Sequence, residues 1–596
     1  MMPIPYSPPT HRRLKVYAFD PMLGRTPLYR MLCEVPYEPL RPGPRGERIE
    51  VVDYDSSAQT YYTPVHLEDP YLLMRDGLDP TEADPRFHQQ MVYAIASKVL
   101  ANFDSALGRR LYFRGRKPLK LFPHAFRGAN AFFHPRRHAI LFGYFPADES
   151  RGGQNLPGQP VFTCLSHDII AHEMTHAITH RLRPFFFEPT NVDVLAFHEA
   201  FSDIIAIFQH FSFKEILLQA IQETQSDLRA NDEIVKLAQQ FGYATGGGDA
   251  LRTAVDKPDA RHLEKELRPH ARGSILVAAV FDGFFKTYLS QIQDLLRIST
   301  GGTGLLPQGS IHPDLAARLA REACAVADAT LRMCIRAFDY LPPVDVTFGD
   351  FLRALVTADF ELNPRGELGL RRNLIEAFRI RGIYPENVRS LAEDSLLWER
   401  AAPAPSTPED ISELLAEIQQ EMILEAAATS RNSSLDWNPA AGADDDAESR
   451  KNRYPAIHAW ARRHAAALGL HPGLAVQVAG LHPSFRVGID GQLLVEVIVQ
   501  LLQRAEASAA TGGIPLRGGA TVVLNGFGQP RYVIAKPLPG AAAPFAPAAA
   551  MRQARQTDYA AALTARDTFH IWQDEEFQKI RLRRLMGFAA LHGGAL

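Results

Sequence analysis

Residues 166 to 187, SHDIIAHEMTHAITHRLRPFFF, put four histidines and a glutamate into a stretch that carries the apolar stripe of a helix. His172 and His176 are four residues apart, so on a helix they leave one face about 6 Å apart along the axis. Two imidazole nitrogens at that spacing converge on one Zn²⁺ at about 2.0–2.1 Å each. Glu173 reaches the edge of the same site, where a carboxylate polarises water. His180 lies a further turn along, about 12 Å from His172, too far to share one ion. It reads as a solvated or supporting residue. Thr179 and Leu182 stand where a metzincin requires Gly and His, so that pattern is excluded.

A third ligand must come from elsewhere, and AFHEAFSDIIAIFQHF supplies one. Glu199 and Asp203 share a helical face, while Phe197, Phe201, Ile204, Ile205 and Phe208 form a buried stripe. Glu199 completes a His₂Glu set with the fourth position left to water, the composition of a catalytic zinc. Asp203 is placed to take the second N–H of a ligand imidazole and fix its tautomer. The plainer alternative is a pair of amphipathic helices with acidic outer faces.

These side chains need two adjacent helices and a framework around them. Up to about residue 80, short β-rich runs such as LKVYAF and RIEVVDY alternate with Pro and Gly. Asp84-Pro85 starts a helix that runs to about Leu107, and KLFPHAFRGANAFFHPRRHAILFGYF returns to strands. From Asp168 to about Gly382 the pattern is helical, with glycine-rich loops at 246–248 and 300–304. The fold class is α+β. Four segments follow: a β-rich lobe over 1–165, a helical lobe over 166–395, a linker over 396–452, and a small α/β or α+β domain over 453–596. The linker holds one amphipathic helix, capped by Thr407 and Pro408, with Ile411, Leu414, Leu415, Ile418 and Met422 as its stripe. The last segment shows a helix near 455–468, a strand LAVQVAG, a hairpin turning at Asn525-Gly526, and an Ala/Pro-rich spacer at 540–550 before a final helix.

The order of segments resembles the thermolysin-like neutral metallopeptidases, gluzincins in which HExxH precedes an NExxSD-type motif. Here these are HEMTH and HEAFSD, with His198 in place of Asn. The resemblance spans roughly residues 13 to 385 and implies a two-lobed peptidase with the zinc helix between the lobes. It implies one catalytic Zn²⁺ on His172, His176 and Glu199, with Glu173 as the general base. GANAFF resembles the family's edge strand, so Asn130 and the Ala131 backbone would hold an extended peptide. GGDALRTA places the carbonyl-gripping arginine on Arg252, and RPHARGSILVAA places the transition-state histidine on His270. Ile169 and Leu251 fall where the family lines its specificity pocket, which implies cleavage on the amino side of bulky apolar residues. There are departures. The family's assisting tyrosine falls on Phe187, which has no O–H, and keeps open a second reading as a weak or inactive zinc-binding interaction module. Calcium is doubtful, because Asp168 remains while His210 occupies a ligand position.

Sixty-four basic and 67 acidic residues give a net charge of −3, with 46% hydrophobic and 22% charged residues. Nothing there suggests a nucleic-acid or membrane partner. Prolines near the start occupy the place of a signal's apolar region, and no run reads as a bilayer span, so a cytoplasmic location is expected, with signal-independent export left open. The expected partner is a peptide or protein substrate. The C-terminal region is expected to regulate access to the cleft intramolecularly. Cys33, Cys164, Cys324 and Cys334 lack CxxC spacing and read as buried thiols.

Overall fold

The computed structural model describes residues 9–22, 30–148, 155–230, 236–237, 252–253, 259–307, 309, 311–401, 412–420, 423, 454–488, 491–506 and 516–565. The architecture is mixed α+β. In the N-terminal part, β1 (His11–Tyr17) and β2 (Arg30–Pro36) form an antiparallel pair. A second sheet has the order β3 (Ile49–Val51), β6 (Leu119–Arg127), β8 (Ala139–Pro146), β7 (Ala131–His134), with β9 (Pro160–Phe162) also on β8. Two short strands, β4 (Tyr54–Asp55) and β5 (Thr60–Tyr61), pair beside it. β7 pairs only with β8 among the described strands, which makes it an edge.

After the short helix α1 (Pro70–Met74), α2 (Pro85–Leu107) runs through the middle of this half. The Asp84 side chain accepts from the Arg86 N–H, Pro85 takes the first position, and Gly108 ends the helix in the left-handed conformation at φ 66°. The helical half contains α3 (His167–Leu182), α4 (Val192–His210), α5 (Lys214–Thr224), α6 (Ala260–Lys265), α7 (Pro269–Ser299), α8 (Pro313–Arg336), α9 (Phe348–Leu362), α10 (Leu370–Ile380) and α11 (Glu393–Leu396). One apolar core runs through both halves, from Val16 and Phe87 to Ile178, Phe201, Phe284 and Phe351. The sequence reading expected no run long enough to span a bilayer, but α7 reaches that length and apolarity. It does so as a core helix, with 72% of its apolar window buried inside the protein.

The C-terminal segment shares the main core through its sheet. Its antiparallel sheet has the order β12 (Gln477–Val487), β13 (Leu493–Ala505), β14 (Leu516–Asn525), β15 (Pro530–Lys536). Ile498, Val523, Tyr532 and Ile534 on one face belong to the main core. The alternate residues Val497, Val499, Leu501, Val522 and Leu524 pack with Leu414, Ile418, Ile457 and Trp460 in a second core. The helix over 412–420 thus has its partner, and Glu417 accepts from the first free N–H groups, Ala456 and Ile457, of α13 (Pro455–Arg463). This helix over 412–420 is α12; Thr407 to Ile411 and Met422 lie outside the described residues. The hairpin does not turn in two residues. The Asn525 side chain accepts from Phe527 and Gln529 N–H, and Gly528 takes φ 74°, which widens the turn before Pro530. The expected spacer is helical from Ala546, where α14 (Ala546–Ala565) begins.

Candidate metal centre

α3 has Asp168 in its first turn and His180 and Arg181 in its last, so its end charges oppose the helix dipole. It packs beside α4, and their shared face carries the three expected ligands. His172 Nε2 lies 3.3 Å from Glu199 Oε2, and His176 Nε2 lies 3.6 Å from Glu199 Oε1. All three residues are buried, with ligand atoms within 4.8 Å of one another. A tetrahedral zinc with bonds of about 2.0–2.1 Å holds its donor atoms about 3.3 Å apart. The donor set therefore fits zinc in both chemistry and spacing.

The far nitrogens of the two imidazoles are also held. His172 Nδ1 lies 2.9 Å from Asp203 Oδ1, as the sequence reading expected. His176 Nδ1 lies 2.6 Å from His198 Nδ1 and 3.1 Å from Ser202 Oγ. Burial pushes the His198 imidazole well below the usual histidine range, and the neighbouring His180 and His172 push the same way. The two facing Nδ1 atoms of His176 and His198 share one hydrogen. Sequence reasoning missed both partners of His176. The available signal was their own i, i+4 spacing, one residue before Glu199 and Asp203.

Glu173 is tied to the edge strand, since its Oε2 accepts from the Phe133 backbone N–H at 2.9 Å. Alternate residues of a strand direct their backbone groups to the same side, so Ala131 presents its N–H and C=O to the open side that Phe133 faces. The Asn130 carbonyl points the other way and accepts from Gly143 N–H at 2.8 Å.

His270 is the second residue of α7, and its Nδ1 lies 3.4 Å from Glu199 Oε2. Two features bring it there. At Gly273 a Cβ would meet the Ala196 carbonyl oxygen at 2.9 Å, so the missing side chain lets α7 lie against α4. Arg272 donates to Asp193 Oδ1 at 2.6 Å, and Asp193 Oδ2 accepts from Phe348 N–H, which pins the starts of α4, α7 and α9 together. Neither Gly273 nor Arg272 stood out in the sequence.

The remaining expected residues fare differently. Ile169 is 1% exposed and belongs to the main core. Leu251 lies outside the described residues, and of Arg252 only the backbone is described, paired with Leu237 in the short β10 (Lys236–Leu237) and β11 (Arg252–Thr253) ladder. Phe187 is half-buried and sets its ring edgewise to His198 at 4.2 Å and to His180 at 5.0 Å. His180 in turn lies against Phe133 at 5.6 Å, so it supports the surround of the site. Asp168 Oδ1 meets His210 Nε2 at 2.5 Å, with the rings of Phe19 and His167 against His210. Compared with known proteins, the chain matches no family model and no curated protein.

Proposed function

We propose that the protein is a zinc-dependent endopeptidase with a thermolysin-like, two-lobed arrangement. The observation that carries this reading is the meeting of His172, His176 and Glu199 beside Glu173 and His270, under an open strand edge. Bound Zn²⁺ would supply a Lewis acid that acidifies water and polarises a peptide carbonyl. Asp203, His198 and Ser202 keep the two imidazoles turned with Nε2 toward Glu199. Glu173 takes the proton of the attacking water and delivers it to the leaving amine, held in place by the Phe133 N–H. His270 donates to the carbonyl oxygen as it gains charge.

An extended peptide would add to β7 through Ala131, with Asn130 at the strand's entrance and Arg252 on the carbonyl beyond the cut. By resemblance, Ile169 and Leu251 favour a bulky apolar residue on the carboxyl side of the cut bond. The Asp168–His210 pair puts an imidazole against a carboxylate that calcium would need, so the reading requires zinc alone.

Phe187 favours one other reading, a zinc-binding module that recognises peptides without cutting them, because the ring has no O–H to donate. Internally quenched peptides with a blocked N-terminus separate the two. The peptidase reading expects internal cleavage before Leu or Phe, abolished by a chelator and restored by added zinc. Zinc-loaded protein that binds such peptides and leaves them intact would overturn it.

A further inference from the structure

A second buried cluster lies in the N-terminal half, formed by His88 on α2, His124 on β6 and Cys164 in the turn that precedes α3. One ligand atom from each lies within 4.8 Å of the others, and the residues are 1%, 2% and 0% exposed. Hydrogen bonding fixes the two tautomers. His88 Nε2 lies 3.2 Å from the Glu82 carbonyl oxygen, which only accepts, so this nitrogen carries the hydrogen. His124 Nδ1 lies 2.7 Å from Asp53 Oδ1, so it carries the other. Asp53 is held in turn, because its Oδ2 accepts from Gln89 Nε2 at 2.8 Å.

The nitrogens left over are both acceptors, and they face each other. His88 Nδ1 and His124 Nε2 are 2.8 Å apart, a separation at which two lone pairs repel unless a cation is shared between them. A proton can serve. A metal ion serves better once the Cys164 sulfur is counted, since a thiolate and two imidazoles are a donor set for zinc and its thiophilic neighbours. The two imidazole nitrogens would separate by about half an ångström to reach zinc spacing.

We propose that His88, His124 and Cys164 form a second metal site, for a thiophilic divalent ion of the zinc class. Binding displaces the thiol proton and any proton held between the imidazoles, and the divalent ion takes their place. Asp53 orients His124 as Asp203 orients His172. A surface hollow bordered by Glu82, Leu156, Gln159 and Phe162 lies beside the cluster, and the Phe162 ring stands 4.7 Å from His88. It offers an entry path. The ion would join α2, β6 and the start of the α3 segment, stiffening the helix that carries His172.

Cobalt titration tests this independently of peptide cleavage, because the His₂Glu centre contains no sulfur. Metal-free wild-type protein titrated with Co²⁺ should develop thiolate-to-cobalt charge-transfer absorption in the near ultraviolet. The band should persist in His172→Ala/His176→Ala protein and in Cys33→Ser, and vanish in Cys164→Ser. Metal analysis should find one more zinc in wild type than in the His172→Ala/His176→Ala protein, with one zinc remaining there. Folded wild-type protein that shows no such band in excess Co²⁺ overturns the proposal even if a variant misfolds. So does a band that survives Cys164→Ser.

Discussion

At the scale of single residues, the centre is held as much by the partners of its ligands as by the ligands. His172 leans on Asp203, and His176 leans on His198 and Ser202. Outer partners of this kind change metal affinity by about 10- to 100-fold when removed. His198→Ala should therefore weaken zinc binding by that factor, read by competition with a chromophoric chelator, while leaving the protein folded. Unchanged affinity would mean that Ser202 alone orients His176. The pairing of His172 with His176 was legible in the sequence because a helix turns an i, i+4 spacing directly into a shared face. His198 was noticed only as a departure from a motif, and its contact with His176 needs the packing of α3 on α4. The His88–His124 pair spans 36 residues of chain, so no local spacing announces it.

At the scale of elements, α3 and α4 supply the candidate zinc ligands, α7 brings His270, and β7 brings the strand edge proposed for the substrate. The α4–α7 approach rests on a residue that has no side chain to offer. Gly273→Ala would drive a Cβ toward the Ala196 carbonyl and push α7 outward. Overpacking of this sort costs about 1–3 kcal/mol. A lower melting temperature and a lower kcat at unchanged zinc content are expected, since His270 moves and the ligands do not. Wild-type kcat in this variant would contradict the role assigned to the α4–α7 contact. The amphipathic patterns predicted α2, α3 and α4, with Asp84 marking the start of α2 and its end expected near Leu107. They did not predict which helices would touch, because that depends on Arg272 reaching Asp193 across the fold.

At the scale of the whole molecule, the C-terminal sheet is bound to the helical half by a buried ionic layer. Arg109 meets Asp339 at 2.7 Å, Arg486 bridges Asp339 and Glu496, and Arg552 and Arg555 converge on Asp345. These contacts lie near the ends of α2 and α8 and ahead of α9. The sequence suggested a separate domain because its partners are far away along the chain, as with Arg486 and Asp339, 147 residues apart. Burial alone would raise the Asp339 carboxyl, but Arg109 and Arg486 outweigh it and hold it at about 2. A carboxyl whose folded pKa is depressed stabilises the fold above its unfolded value, near 3.9, and loses that contribution as pH falls toward the folded value. On the order of 2 kcal/mol should disappear between about pH 4 and pH 2, in one cooperative transition of both cores. Urea midpoints measured across that range should flatten in Asp339→Asn, which at neutral pH should already be weaker by about 3–5 kcal/mol because two arginines lose their buried partner. Two separate transitions in the wild type would contradict the shared core. The central claim concerns the water-activating centre, and the most direct measurement pairs zinc content with peptide cleavage in Glu173→Gln protein. The account predicts wild-type zinc content and a loss of cleavage of about 10²- to 10⁴-fold. A variant that keeps its zinc and cleaves as fast as wild type would contradict it.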